Sequence, residues 1–172
     1  QIMQILEKKY PVSTTTLNSM RGTNATAFHI IISCLLSLRT QDKNTEKASN
    51  SLFAVANTPQ EIIKLPIKKL EKLIYSSGHY KKKSRVLKSV SKEILERFNG
   101  KVPDTEEELL SIKGVGRKTA NIVLSFAFGK LVLPIDVHCH RIPNRLGWVK
   151  TKKPEETEEE LKGVEKIHKI LL

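Results

Sequence analysis

Cysteine is nearly absent: Cys34 and Cys139 stand alone among 172 residues, one inside an apolar stretch and the other between two histidines. Neither spacing builds a disulfide framework, and the pattern fits a reducing compartment. Aromatic residues are scarce as well, 5% of the chain against 39% apolar overall, which fits a core of aliphatic side chains carried on helices. No apolar run reaches the ~20 residues that span a bilayer, and the first residues lack a signal pattern, so a soluble, unsecreted protein is expected. Polar–apolar alternation is missing too: Leu131-Val132-Leu133 is the nearest thing to a strand and is too short to build a sheet. Acid is in deficit, with 18 Asp and Glu facing 30 Lys and Arg for a net charge of +12. A polyanionic partner is implied, nucleic acid ahead of an acidic membrane surface, unless the excess is only a lysine-rich proteome.

What is there reads as helices joined by short loops, an all-α chain. Residues 1–9 carry Ile2, Met3, Ile5 and Leu6 and form a helix stopped by Pro11. Thr23 or Asn24 caps the next, an almost wholly apolar run from Ala25 to Leu38; its length favours a buried central helix over a buried strand. Asp42 caps a helix to about Ala56 with Ala48, Leu52, Phe53 and Val55 inward. Pro59 and Pro66 each open a short helix, and Tyr80 to Phe98 is a long amphipathic one ended by Asn99-Gly100. Thr105 and Glu108 form a capping box ahead of Leu109. Pro154 to Glu160 starts an acid-rich last helix, expected to lie away from a polyanion.

Two stretches suit phosphate. Lys81, Lys82, Lys83, Arg85 and Lys88 crowd the first turns of the long helix, where like charges oppose the dipole by a few tenths of a kcal/mol each. Stability does not ask for them there; a phosphate backbone would, although a solvated charged face is the plainer alternative. The hairpin Lys113-Gly114-Val115-Gly116-Arg117 has two glycines able to take positive φ and leave bare N–H groups at a helix start. An ordinary helix–helix turn would use glycine in the same way.

The run Ile112-Lys113-Gly114-Val115-Gly116-Arg117-Lys118-Thr119-Ala120-Asn121 resembles the helix-hairpin-helix signature of the endonuclease III family of DNA glycosylases. Pro134 to Leu146 resembles that family's loop and helix around its catalytic aspartate, and Leu35 to Asp42 and Gly78 to Lys83 resemble two further motifs, in the same order. The resemblance implies a two-lobed helical glycosylase fold. A barrel-like domain is expected over 24–134, with the helix-hairpin-helix at about 105–129, and 1–23 plus 135–172 as a partial second lobe. A cleft between the lobes is expected to hold Lys118 and Asp136.

By the same resemblance the chain is a bifunctional DNA glycosylase and abasic-site lyase of base excision repair, acting on oxidised pyrimidines. Lys118 attacks the sugar C1′ of an extruded nucleotide, forms a Schiff base and permits β-elimination, while Asp136 stabilises the cationic sugar. Read from its position alone, Lys118 is rather a phosphate clamp, and Asp136 is equally a helix cap. Arg39 and His79 occupy the positions that fill the gap left by the extruded base, where many relatives use glutamine and a bulky apolar residue; Arg39 as a phosphate contact is the alternative. The other expected DNA contacts are Lys81, Lys82, Lys83 and residues 113–117. The partner is double-stranded DNA with damaged bases or abasic sites, bound by a monomer in the cytoplasm or nucleoid, or a nucleus or organelle.

Two departures stand out. Many relatives carry a four-cysteine iron–sulfur loop, and the cysteines here are too few, so no cluster is expected. Lys113 replaces a usual proline. Asp136 and His140 share a helix face, but His138 points elsewhere and no zinc site is expected. A non-catalytic helix-hairpin-helix module, or a glycosylase for mismatched or alkylated bases, are the competing readings.

Overall fold

Thr26 opens the first helix of the computed structural model, which describes residues 25–162. Its hydroxyl accepts the backbone N–H of His29 at 3.3 Å, and the His29 ring answers by accepting the N–H of Thr26 at 3.0 Å. This reciprocal cap, rather than Thr23 or Asn24, starts α1 (Ala27–Ser37). The expected helix at residues 1–9 lies outside the described residues. Two compact units part between Lys101 and Val102, whereas the boundary expected from the sequence lay at 134.

In the first unit, α1 is the core axis: Ile31, Ile32, Leu35 and Leu36 are all but fully buried. At roughly 1.5–3 kcal/mol per buried aliphatic side chain, these four residues contribute several kcal/mol to the unit's stability. The unit continues with α2 (Asp42–Phe53), α3 (Pro59–Lys64), α4 (Ile67–Leu73) and α5 (Tyr80–Arg97), of which α2 and α5 pack on α1. Asp42 does not cap α2; Gln41 holds that place without a side-chain bond, and Asp42 is the first helical residue. Leu52 and Ala56 face inward, but Val55 is exposed. Thr58 and Glu61 form a full capping box on α3, with Pro59 as first residue. The long helix α5 packs against α3 and α4 and turns Leu87, Val90 and Ile94 inward.

In the second unit, α6 (Glu106–Ser111) packs on α7 (Arg117–Phe128), and α8 (Val137–Arg145) on α9 (Pro154–Lys162). Thr105 caps α6 by accepting the N–H of Glu108 at 3.3 Å. The box does not close as expected, because the Glu108 carboxylate accepts the Thr105 hydroxyl at 2.8 Å instead of the backbone N–H. Only one hairpin glycine uses left-handed backbone: Gly114 has φ 101, while Gly116 caps α7 in extended conformation with φ −98. Gly129, at φ 64, ends α7 with its own N–H and that of Lys130 returned to the last carbonyls. Asn121 on α7 donates to the carbonyl of Leu133 at 3.0 Å, anchoring the connection to α8. Leu133, Ile135, Val149 and Leu161 form a small core beneath it, with Cys139 against them. No strand occurs among the described residues.

Candidate active site

Asp136 is the N-cap of α8, accepting the backbone N–H groups of His138 and Cys139 through Oδ1, both at 2.9 Å. Those two bonds leave Oδ2 directed outward, and the Lys118 ammonium donates to it at 3.1 Å. Burial pushes the Asp136 carboxyl up, but the Cys139 N–H and the Lys118 ammonium outweigh it and bring the pKa to about 2. One carboxylate thus uses one oxygen for the fold and offers the other to an amine.

Lys118 lies in the first turn of α7, straight after the hairpin, with its side chain 46% exposed. An ion pair this open adds little to stability, so the amine remains within reach of an external group. The Cys139 thiol, by contrast, is pushed up by burial and by the Asp136 charge, which makes it a poor nucleophile. Neither histidine joins the pair: His138 contacts Arg141 at 3.1 Å, and His140 contacts the Thr157 hydroxyl at 2.6 Å. Among the described residues no group of three or more His, Cys, Asp or Glu is placed to hold a metal ion.

The hairpin itself splits the expected contacts. Lys113, Gly114 and Gly116 are exposed at the turn, whereas Val115 is buried and gives its N–H to the Ile112 carbonyl at 3.0 Å. Arg117 is paired within the protein. Its guanidinium donates to Glu158 at 2.9 Å and stands 3.5 Å from Glu106 and 3.8 Å from Glu159, with Glu158 only 2% exposed. The hydrogen bond to Glu158 leads the causes that push the Arg117 pKa up. The acidic helix α9 therefore reaches the hairpin, and its buried Glu158 pairs with Arg117.

In the first unit, Arg39 and His79 lie on neighbouring loops, after α1 and before α5, and both are exposed. They share a rarer property: φ is 53 at Arg39 and 58 at His79, left-handed backbone that non-glycine residues seldom adopt. Such conformations persist where the surroundings hold them, commonly at functional sites. Here Gly78 donates to the Thr40 hydroxyl at 3.0 Å, and a Cβ at Gly78 would stand 3.0 Å from the Arg39 carbonyl oxygen. The loops touch closely enough that a side chain at 78 would press on the Arg39 carbonyl.

Lys83 does not lie at the surface with its neighbours. Lys81, Lys82 and Arg85 are exposed as expected, but Lys83 is 8% exposed and spends its three N–H groups internally. It donates to the Leu36 carbonyl at 2.6 Å and to the Thr40 and Ser77 hydroxyls, each at 2.8 Å. Burial lowers its pKa to about 8. Lys88 also turns inward, to the Ile63 carbonyl at 2.6 Å. In a run of three lysines nothing local separates the inward one from the others; only the helix period relating Lys83 to Leu87, Val90 and Ile94 hinted at it.

Residues 32–166 match the model of the HhH-GPD superfamily of base excision DNA repair proteins. Endonuclease III of Thermotoga maritima is 55% identical over 135 residues, which cover 78% of this chain and 63% of that protein. The chain thus spans less than two thirds of that relative's length. Endonuclease III of Escherichia coli K12 is 35% identical over 161 residues, 94% of this chain and 74% of the other. A structure of a trapped endonuclease III–DNA covalent intermediate superposes with a TM-score of 0.80 at 32% identity, covering 92% of this chain and 73% of that one.

Proposed function

Because the chain belongs to the endonuclease III family, within the HhH-GPD superfamily of base excision DNA repair proteins, we propose that it is a DNA glycosylase with abasic-site lyase activity, acting on oxidised pyrimidines in duplex DNA. The observation that carries this is the exposed Lys118 amine 3.1 Å from Asp136 Oδ2. In the proposed reaction the neutral amine of Lys118 attacks C1′ of the damaged nucleoside, and the C1′–N bond breaks with the electron pair leaving on the base. Loss of a proton from nitrogen and opening of the sugar give an iminium. That iminium acidifies the C2′ proton, and its removal expels the 3′ phosphate.

A carboxyl with a pKa of about 2 stays ionised at neutral pH and is a weak base. Asp136 therefore serves chiefly as fixed negative charge for the cationic sugar, held in direction by its two capping bonds. The exposed Lys113, Gly114 and Gly116 and the exposed Lys81 and Lys82 suit phosphates, while Arg39 and His79 fill the vacated space. The proposal extends to a monomer working in the nucleoid. The iron–sulfur cluster of many relatives needs four thiolates; these residues offer two, Cys34 buried in α1 and Cys139 against an apolar core. They do not fit the group, and no step is assigned to it.

Borohydride reduction in the presence of an abasic duplex tests the reading, since an imine is converted into a stable covalent adduct. The expected result is a crosslinked band that disappears in Lys118→Gln with duplex binding retained. A non-catalytic DNA-binding module would give no band with either protein, and trapping by Lys118→Gln would take the role from Lys118.

A further inference from the structure

Lys83 lies 47 residues from Leu36, 43 from Thr40 and 6 from Ser77, yet its ammonium bonds to all three. Leu36 belongs to the last turn of α1, which has no basic residue of its own, so a cation from α5 meets the negative end of that helix. Thr40 and Ser77 are the polar residues of two loops, one carrying Arg39 and the other His79. The joint is knitted further: Ser77 Oγ also donates to the Leu36 carbonyl at 2.9 Å, and Gly78 N–H to Thr40 Oγ1 at 3.0 Å. An ammonium has three donors, and all three are satisfied by uncharged oxygens.

Such an arrangement is costly to maintain for stability alone. A buried charge whose bonds go to neutral oxygens pays desolvation that an apolar side chain of similar length avoids. What the ammonium supplies is direction: three bonds from one atom fix the end of α1, the first loop and the second loop relative to one another. Both residues flanking this joint, Arg39 and His79, are in left-handed backbone at φ 53 and 58, and held strain of that kind needs rigid surroundings.

We propose that Lys83 is a positioning residue for the gap-filling pair: its ammonium clamps the loop of Arg39 to the loop of His79, so that both side chains are presented together to the space left by an extruded nucleotide. The inference rests on the reading that Arg39 and His79 fill that space. Lys83 itself touches no DNA.

The test uses a duplex with a tetrahydrofuran abasic analogue opposite 2-aminopurine, whose emission reports what stacks against it. An undamaged duplex measures background affinity. Lys83→Met, Thr40→Val, Arg39→Ala and His79→Ala are compared with the parent, each checked for folding by thermal melting. Lys83→Met and Thr40→Val are expected to lose the parent's emission change and to lower the preference for the abasic over the undamaged duplex, on the order of tenfold. If they keep both while Arg39→Ala or His79→Ala loses them, the clamp role is overturned and gap filling stands. If Arg39→Ala and His79→Ala also keep both, the gap-filling reading fails and the clamp with it. Should Lys83→Met not fold, Thr40→Val, which removes one acceptor and keeps the lysine, decides.

Discussion

Lys118 and Asp136 are joined at 3.1 Å by the oxygen that the α8 cap leaves over. Since the cap and the ion pair use different oxygens, the two duties of Asp136 are separable. Asparagine caps helices about as well as aspartate, whereas alanine costs roughly 0.5–2 kcal/mol. Asp136→Asn should therefore keep the α8 cap and lose at most about 2 kcal/mol of stability, while borohydride trapping slows by roughly a hundredfold or more, the scale of a lost electrostatic partner. Asp136→Ala should lose both trapping and stability.

Acid should reveal the same carboxylate. Its folded pKa of about 2 lies below the ordinary 3.8, so its stabilising contribution is complete above about pH 4 and is lost as pH falls through about 2. The difference corresponds to at most about 2 kcal/mol. Urea unfolding at pH 5 and at pH 2 should show the parent's advantage over Asp136→Asn shrinking toward zero at the lower value.

Lys83 should make stability rise with pH as well, this time in base and because burial disfavours its charge. Its folded pKa of about 8 is depressed from 10.5, so between those values the unfolded chain binds the proton that the folded chain has released, and stability rises with pH. Relative to Lys83→Met, the parent should gain up to about 3 kcal/mol across that window, as an upper bound. Taking the difference between the two proteins cancels Cys34, Cys139 and the tyrosines. Denaturant midpoints at pH 7.5 and 10.5 check it, and a flat difference would contradict the burial of the charge.

Two glycines should respond differently to alanine. At Gly78 a Cβ meets the Arg39 carbonyl oxygen at 3.0 Å and Thr40 Oγ1 at 3.3 Å, so Gly78→Ala must push the loops apart and should cost about 1–3 kcal/mol. At Gly116 a Cβ meets nothing within 4 Å and φ is −98, so Gly116→Ala should melt within about 0.5 kcal/mol of the parent. If a phosphate approaches that bare backbone, the same methyl should weaken duplex binding. Melting and duplex titration of both variants separate fold from contact.

Much of this protein was decided within a few residues of chain. Thr105 capping α6, Pro59 opening α3, Gly129 ending α7 and Asp136 capping α8 are bonds between near neighbours, and the order of the motifs is itself a property of the sequence. The internal partners of Lys83 and Arg117 were not legible in the sequence, for one physical reason. Charge marks a side chain as bound for a polar partner without saying whether that partner is solvent, phosphate or the protein's own oxygen. Tertiary structure decided it, bringing Leu36 from 47 residues away to Lys83 and Glu158 from 41 residues away to Arg117.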